Sequence, residues 1–93
     1  MSNTIIELQA ILQERKANPT PNSYTASLLQ AGEDAIVKKV GEEAVEVILA
    51  AKGQGNERLI EETADLIYHT LVLLISRDLT WADVEDELEK RRK

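Results

Sequence analysis

"ERLIEETADLIYHTLVLLIS", residues 57–76, decides the fold class, because its apolar residues recur at helical spacing and almost encircle the segment. At about 100° per residue, one broad face carries mainly apolar side chains, namely Leu59, Ile60, Thr63, Ile67, Thr70, Leu71 and Leu74. Tyr68, Val72 and Ile75 cover much of the opposite side. A helix that is apolar on nearly all sides must be buried on nearly all sides. The segment therefore predicts the central helix of an all-α protein.

The rest of the chain carries start and stop signals for four further helices. Residues that can cap a first turn stand at Thr4, Ser23, Asn56 and Thr80. Glu7 and Asp83 add the acidic partner of a capping box at two of these positions. Prolines and glycines interrupt the pattern between the helices. The predicted helices cover residues 4–18, 23–31, 33–52, 57–76 and 80 onward.

Nothing in the sequence favours a β-sheet. The chain has two prolines, no phenylalanine and little alternation of apolar and polar residues. We predict an all-α bundle of about five helices that forms a single domain over residues 1–93. Its third helix should turn one apolar face inward, made of Ile36, Val40, Ala44, Val47 and Ala51. The inner face of its fifth helix should comprise Trp81, Val84 and Leu88.

The small size of the chain predicts association. A chain of 93 residues offers few elements with which to surround the helix at 57–76, and small single cores are marginally stable. A second copy of the chain would cover the remaining apolar surface, so we predict a symmetric homodimer. In the alternative, the first, second and fifth helices cover that surface within one chain.

Charge and composition narrow the range of partners. The net charge is −6, which makes the chain a poor electrostatic partner for nucleic acid or an anionic membrane. There is no cysteine, no apolar run of membrane-spanning length and no signal-peptide pattern at the N-terminus. These features predict a cytoplasmic protein. A small nucleotide remains a possible substrate, provided that cations bridge it to the acidic chain.

Two acidic pairs stand at the apolar edges of neighbouring helices: Glu43 with Glu46, and Glu62 with Asp65. Each pair is spaced i, i+3, so its two side chains project together. The short connection at 53–56 should make the two helices antiparallel neighbours, which lets the pairs face each other. Four carboxylates at one seam repel one another unless they are protonated or a cation neutralises them.

Ligands that are all carboxylate oxygens indicate a hard cation, Mg²⁺ or alternatively Mn²⁺, rather than zinc. Mg²⁺ commonly binds through a few carboxylates together with substrate phosphates, and it lowers the pKa of a bound water. The acidic pattern thus predicts metal-assisted hydrolysis of a phosphoanhydride. The alternative is a set of solvated charges on exposed helix faces, and spacing by itself leaves both open.

Segments longer than the acidic pairs resemble known enzyme families. E-x-x-E, fifteen residues and E-x-x-D resemble the metal signature of the all-α nucleoside triphosphate pyrophosphohydrolases, which include MazG-like enzymes and dimeric dUTPases. "ERK" (14–16), "SYTASLLQAG" (23–32), "KKVGEEAVEVILAA" (38–51) and "ETADLIYHTLVLL" (62–74) resemble the phosphoribosyl-ATP pyrophosphohydrolase family in particular. That resemblance implies Mg²⁺-dependent hydrolysis of 1-(5-phosphoribosyl)-ATP to 1-(5-phosphoribosyl)-AMP and pyrophosphate, the second step of histidine biosynthesis.

The resemblance also implies roles for residues. The metal ligands would be Glu43, Glu46, Glu62 and Asp65. The catalytic group would comprise Glu43, Glu42 as a further ligand or water-orienting residue, and Lys39 as a counter-charge or phosphate contact. Substrate contacts are predicted at Arg15, Ser23, Tyr24, Lys39 and His69.

Each secondary residue has a structural alternative. Lys39 would form an i, i+4 salt bridge, Ser23 would cap its helix, and Arg15 would interact with the dipole of the first helix. At the site, His69 would hydrogen-bond Asp65 or contact the nucleotide, and its structural alternative is a histidine satisfied within a packed helix. Two other functions remain for the chain as a whole: a house-cleaning nucleoside triphosphate pyrophosphohydrolase, or a non-enzymatic helical dimerisation module.

Overall fold

The computed structural model describes residues 4–92, and every regular element within that range is an α-helix. The helices are α1 (Thr4–Ala17), α2 (Tyr24–Ala31), α3 (Glu33–Gly53), α4 (Asn56–Ser76) and α5 (Trp81–Arg91). The prediction of an all-α fold with about five helices is confirmed. Across the described part of the chain, no helix is both long and apolar enough to cross a membrane.

Two predicted caps are present. The Ser23 side chain accepts a hydrogen bond from the backbone N–H of Ala26 at the start of α2. Thr80 and Asp83 form a complete capping box at the start of α5, in which each side chain bonds the other residue's backbone N–H. These bonds satisfy donors that a first helical turn otherwise leaves without partners, and they fix where the two helices begin.

The capping prediction at Asn56 is wrong by one position, because Asn56 is the first helical residue of α4. Thr4 is helical, and the residues before it lie outside the described range, so its predicted capping role stays a prediction. The N-cap of α4 is Gly55, which has no side chain to cap the helix and whose φ is +91°. Glycine adopts this left-handed backbone without steric cost, so the turn is complete one residue earlier than the asparagine predicted.

Helices α3 and α4 form an antiparallel hairpin around a two-residue connection at 54–55. Its far end is held by Arg77, whose Nε and Nη2 donate to the two carboxylate oxygens of Glu33 at 2.6 and 2.8 Å. This pairing joins the first residue of α3 to the residue after α4, so the two helices run side by side over nearly their whole length. The acidic pairs predicted to face each other accordingly lie at similar heights.

The core lies where α1 and α2 close over one side of the hairpin. The buried residues that form it are Leu12, Leu28, Ile36, Leu71, Val72 and Ile75. Half of these come from α4, in agreement with its predicted central position. In α3, Ala50 is buried, whereas the predicted Ala51 is exposed. Trp81 packs against the core, but Leu88 is 59% exposed, so its predicted inward position is wrong.

One face of the hairpin stays uncovered in the single chain. Apolar side chains that are roughly half exposed or more line it: Val37, Val45, Ile48, Leu49 and Ile60. Ile60 is 69% exposed although the pattern of α4 predicted it on a buried face. Within residues 4–92, the other helices leave this apolar hairpin face largely exposed, and four of its five side chains belong to α3. The residues of α4 predicted to be buried are all at least partly covered within one chain except Ile60, so the homodimer stays a prediction.

Candidate active site

Three of the four predicted metal-ligand carboxylates converge between α3 and α4. Glu43, Glu62 and Asp65 each offer one oxygen, and the three oxygens lie within 4.8 Å of one another. The hairpin register produces this carboxylate cluster, because Glu43 comes from one helix and the i, i+3 pair Glu62 and Asp65 comes from the other. Glu62 is 5% exposed, Glu43 is partly buried and Asp65 is open to solvent.

The cluster fits a hard divalent cation. Two oxygens bound to the same Mg²⁺ at about 2.1 Å can be at most ~4.2 Å apart, so only small side-chain rotations are needed. The donor set contains carboxylates alone, with no thiolate or imidazole among the three converging groups. One side is open through Asp65, which leaves room for water and substrate oxygens.

Burial and charge both act on Glu62. Desolvation raises the pKa of its carboxyl above the ordinary value of 4.5, and the negative charges of Asp65, Glu46 and Glu43 raise it further. Only Arg58 opposes these effects, through an ion pair with Glu62. A cation bound at the cluster would remove the repulsion that these carboxylates exert on one another.

Arg58 is a site residue that the sequence reasoning missed. Its guanidinium pairs with both Glu61 and Glu62 from one turn earlier in α4. The i, i+4 spacing of Arg58 and Glu62 was a visible signal for this ion pair. In the structure Arg58 supplies the positive charge beside the most buried carboxylate, so a metal ion would compete with it for Glu62.

The remaining acidic candidates lie at the margin of the cluster. Glu46 is not part of the group whose oxygens converge, although its charge acts on Glu62. Glu42 is exposed, and it shares Lys39 with Glu43, since both carboxylates lie 3.4 Å from the Lys39 ammonium. The predicted i, i+4 salt bridge of Lys39 is therefore present, and it places a cation directly beside the carboxylate cluster.

His69 is satisfied on both sides of its ring. Its Nδ1 lies 2.8 Å from the backbone carbonyl of Asp65, and its Nε2 lies 2.9 Å from the Tyr24 hydroxyl. A carbonyl oxygen only accepts, so Nδ1 carries the proton and the Tyr24 hydroxyl donates to Nε2. The predicted link between His69 and Asp65 exists, but it runs through the backbone and leaves the carboxylate free for the cluster.

An aromatic cluster joins α2 to α4 beside the acids. Tyr24 stacks on Tyr68 with ring centroids 6.3 Å apart, and both rings meet His69 edge-on. The Tyr68 hydroxyl also hydrogen-bonds Thr25. Tyr68, predicted on the side of α4 opposite its broad apolar face, packs against the core, and the edge of its ring system meets His69.

Arg15 and Lys16 lie at the opposite end of α4. Arg15 lines a small pocket with Ser76, which is eleven residues beyond Asp65 and so about 16 Å further along the helix. The Lys16 ammonium donates to the carbonyl of Ile75 at 3.0 Å, and so caps the C-terminus of α4. Within one chain, neither side chain is brought to the carboxylate cluster. The predicted substrate contact of Arg15 stays a prediction.

Ser23 has a structural role that a substitution can test. Ser23→Ala removes the acceptor for the Ala26 N–H and is expected to lower the free energy of unfolding by about 1 kcal/mol. Ser23→Asp should restore most of that loss, because an aspartate also caps well. Urea unfolding of the three proteins measures the effect. A loss of substrate affinity in Ser23→Asp at full stability would instead reveal the substrate contact.

The fold and the carboxylate cluster together define an all-α protein with an interhelical site suited to a divalent cation. The sequence profile described as phosphoribosyl-ATP pyrophosphohydrolase (PRA-PH) matches residues 5–92. The chain therefore belongs to the phosphoribosyl-ATP pyrophosphohydrolase family, a family of enzymes.

Two relatives named phosphoribosyl-ATP pyrophosphatase are similar to this chain over most or all of their length. A phosphoribosyl-ATP pyrophosphatase of Pyrobaculum aerophilum is 52% identical over 94 residues, covering 100% of both chains. One from Geotalea daltonii is 50% identical over 92 residues, 98% of this chain and 87% of the relative. A histidine biosynthesis bifunctional protein of Gloeobacter violaceus is 50% identical over 92 residues, and the chain spans only 41% of its length.

Proposed function

We propose that this chain hydrolyses 1-(5-phosphoribosyl)-ATP to 1-(5-phosphoribosyl)-AMP and pyrophosphate, with Mg²⁺ or alternatively Mn²⁺ bound at the carboxylate cluster. The reaction is the second step of histidine biosynthesis. The observation that carries the proposal is the convergence of Glu43, Glu62 and Asp65 in a chain that matches this family over residues 5–92. A cytoplasmic location and a single domain over residues 1–93 are part of the same proposal.

The acidic residues of the carboxylate cluster would bind the cation that the reaction needs. Glu43, Glu62 and Asp65 would hold the cation, with Glu46 adding negative charge from the margin. Mg²⁺ bound there supplies charge neutralisation for a polyphosphate and a water of lowered pKa. Water attacks one of the two phosphorus atoms that share the bridging oxygen between the first and second phosphates. The bond from that phosphorus to the bridging oxygen breaks, the bridging oxygen keeps the electron pair, and a proton passes to solvent, which gives phosphoribosyl-AMP and pyrophosphate.

Lys39 and Glu42 act at the edge of the cluster. Desolvation lowers the pKa of the Lys39 ammonium, but its interactions with Glu43, Tyr24 and Glu42 outweigh that effect and hold the pKa above 10.5. Lys39 is therefore a permanent cation, which can contact a phosphate oxygen when substrate enters. Glu42, bound to the same ammonium, would accept a hydrogen bond from the attacking water.

The direct test is an assay of the purified protein. Phosphoribosyl-ATP with Mg²⁺ should yield stoichiometric pyrophosphate and phosphoribosyl-AMP, and turnover should stop when the metal is chelated. A panel containing dUTP, the common nucleoside triphosphates and oxidised nucleotides should react far more slowly. A preference for a member of that panel would show that the chain is instead a house-cleaning hydrolase. If no substrate is turned over, the remaining hypothesis is a non-enzymatic dimerisation module.

A homodimer through the apolar hairpin face is the second part of the proposal. Ile48→Lys places a charge at the centre of this face, on a side chain 57% exposed in the single chain. In a dimer the lysine would be buried without a partner, so the variant should dissociate to monomers. Light scattering after size exclusion, over a range of concentrations, measures the mass. Ala82→Lys on exposed α5 is the control and should stay dimeric. A monomeric wild type would contradict the proposed homodimer.

Metal affinity should depend on pH through Glu62. Its raised pKa means that protons compete with the cation at a higher pH than at an ordinary glutamate, whose value is 4.5. Calorimetric titration with Mn²⁺ should therefore show affinity falling as the pH is lowered, with the loss beginning above pH 4.5. An affinity that stays constant down to that pH would contradict the participation of Glu62.

A further inference from the structure

Tyr24 presents a fixed aromatic ring next to the carboxylate cluster. It is 52% exposed, although its hydroxyl is bonded to the buried His69 and it stacks on Tyr68. Through His69 it connects to the backbone of Asp65. It also lies near enough to Lys39 and Glu43 for their charges to act on its pKa, which desolvation raises above 10.0.

The hydrogen bond that Tyr24 already makes limits which ligand groups its hydroxyl can bind. The Asp65 carbonyl requires a proton on Nδ1 of His69, so in the neutral imidazole Nε2 is an acceptor and the single phenol proton points to it. The Tyr24 oxygen then has only lone pairs to offer a ligand. A phosphate oxygen at neutral pH is also an acceptor, so it cannot form a hydrogen bond with the Tyr24 oxygen. A ligand group that donates a hydrogen bond, or that offers a π-face, is compatible.

The ring itself is held as a platform. The stack on Tyr68 and the hydroxyl bond to His69 restrain its two side-chain torsions, so little conformational entropy is lost when a ligand packs against it. Among the described residues, Tyr68 is the one aromatic side chain stacked on Tyr24. Half of the tyrosine surface remains for a planar ligand, and a nucleobase is such a group.

We propose that Tyr24 binds the nucleoside part of the substrate, with its ring against the base and its oxygen as an acceptor, and that His69 is the positioning residue that fixes this ring. The inference rests on the proposed function for the identity of the substrate. It deepens that function by separating two subsites: the carboxylate cluster takes the phosphates, and Tyr24 takes the nucleoside.

The experiment compares a nucleoside probe with a phosphate probe. AMP binding in the presence of Mg²⁺ is measured by calorimetry, and pyrophosphate is measured as a competitive inhibitor of turnover. Tyr24→Leu should weaken AMP binding by about tenfold, the loss of one base–aromatic stack of about 1.4 kcal/mol, and leave the inhibition constant of pyrophosphate unchanged. Tyr24→Phe keeps the ring and should lose less. Ser27→Ala, an exposed position on α2, is the control for both probes.

His69 is tested through its dependence on Tyr24. His69→Leu should weaken AMP binding, and the double variant His69→Leu/Tyr24→Leu should bind AMP no more weakly than Tyr24→Leu. His69→Gln, which retains a donor and an acceptor, should restore part of the affinity. Equal weakening of AMP and pyrophosphate by Tyr24→Leu would overturn the inference, and so would unchanged AMP binding.

These outcomes are separate from a failure of the proposed function. If the wild type does not hydrolyse phosphoribosyl-ATP, the proposed function fails, whereas AMP calorimetry still reports on Tyr24. If the wild type turns over and Tyr24→Leu binds AMP normally, only the nucleoside subsite is wrong. Circular dichroism checks that each variant folds, and Tyr24→Phe supplies a variant in which the stack on Tyr68 is kept.

Discussion

Glu62→Gln is expected to lower kcat/KM for phosphoribosyl-ATP by at least ~100-fold and to weaken Mg²⁺ binding to a similar degree. Glu62 is the most buried of the three converging carboxylates, and an amide oxygen in its place carries no charge to balance the cation. Steady-state kinetics and Mn²⁺ calorimetry measure the two effects. Glu57→Gln is the matched control, since it removes the same charge from an exposed position on α4.

The same variant should fold at least as well as the wild type without metal. The folded-state pKa of Glu62 is raised, so protonation favours the fold below the unfolded-state pKa, and this contribution is lost as the pH rises through the folded-state value. Glutamine stays neutral throughout. Its stability advantage in denaturant titrations should therefore be present at neutral pH and vanish in acid. Full activity in Glu62→Gln would remove the carboxylate cluster from the mechanism.

Leu71→Ala should be the most damaging core substitution. Leu71 is fully buried in α4 within the core that includes Leu12 and Ile36. Removing its branched end should cost about 2–5 kcal/mol, through lost burial and the cavity left behind. Small domains have only about 5–15 kcal/mol of total stability, so a large fraction of the fold's stability would be lost. Urea unfolding at one fixed protein concentration measures the change.

An exposed leucine provides the comparison. Leu88→Ala removes the same atoms from a side chain that is 59% exposed on α5, and its effect should stay within about 0.5 kcal/mol. If the two variants lost equal stability, the core assigned to α4 would be wrong. The comparison also tests the correction to α5, whose patterning had predicted Leu88 on the inner side.

Helical periodicity accounts for most of what could be predicted. The existence of all the helices, the central position of α4 and the caps at Ser23 and Thr80 followed from local patterns that act over one or two turns. One error has a local cause too. Gly55 ended the turn before Asn56 because its positive φ closes the connection earlier. Leu88 of α5 stays 59% exposed, because the coverage of a helix face depends on the neighbouring helices and not only on its own apolar spacing.

The candidate site was less completely predictable. The i, i+3 spacing and the antiparallel hairpin placed Glu43 opposite Glu62 and Asp65, as the sequence analysis expected. The spacing did not predict that Glu46 would lie at the margin of the carboxylate cluster. Side-chain rotation decides which oxygens converge, and residue spacing does not determine that rotation. The ion pair between Arg58 and Glu62 was not predicted, although a buried carboxylate needs a counter-ion in the metal-free fold.

By itself the sequence determined an all-α fold, an acidic seam between its two longest helices, and membership of one enzyme family, since those depend on residue order and local spacing. The tertiary structure decided which carboxylates converge and which nitrogen of His69 bonds the Asp65 carbonyl. It also decided that Tyr24 of α2 lies beside a site made by α3 and α4. These depend on the packing of helices distant in sequence and on competing hydrogen-bond partners. No single segment of the chain contains that information.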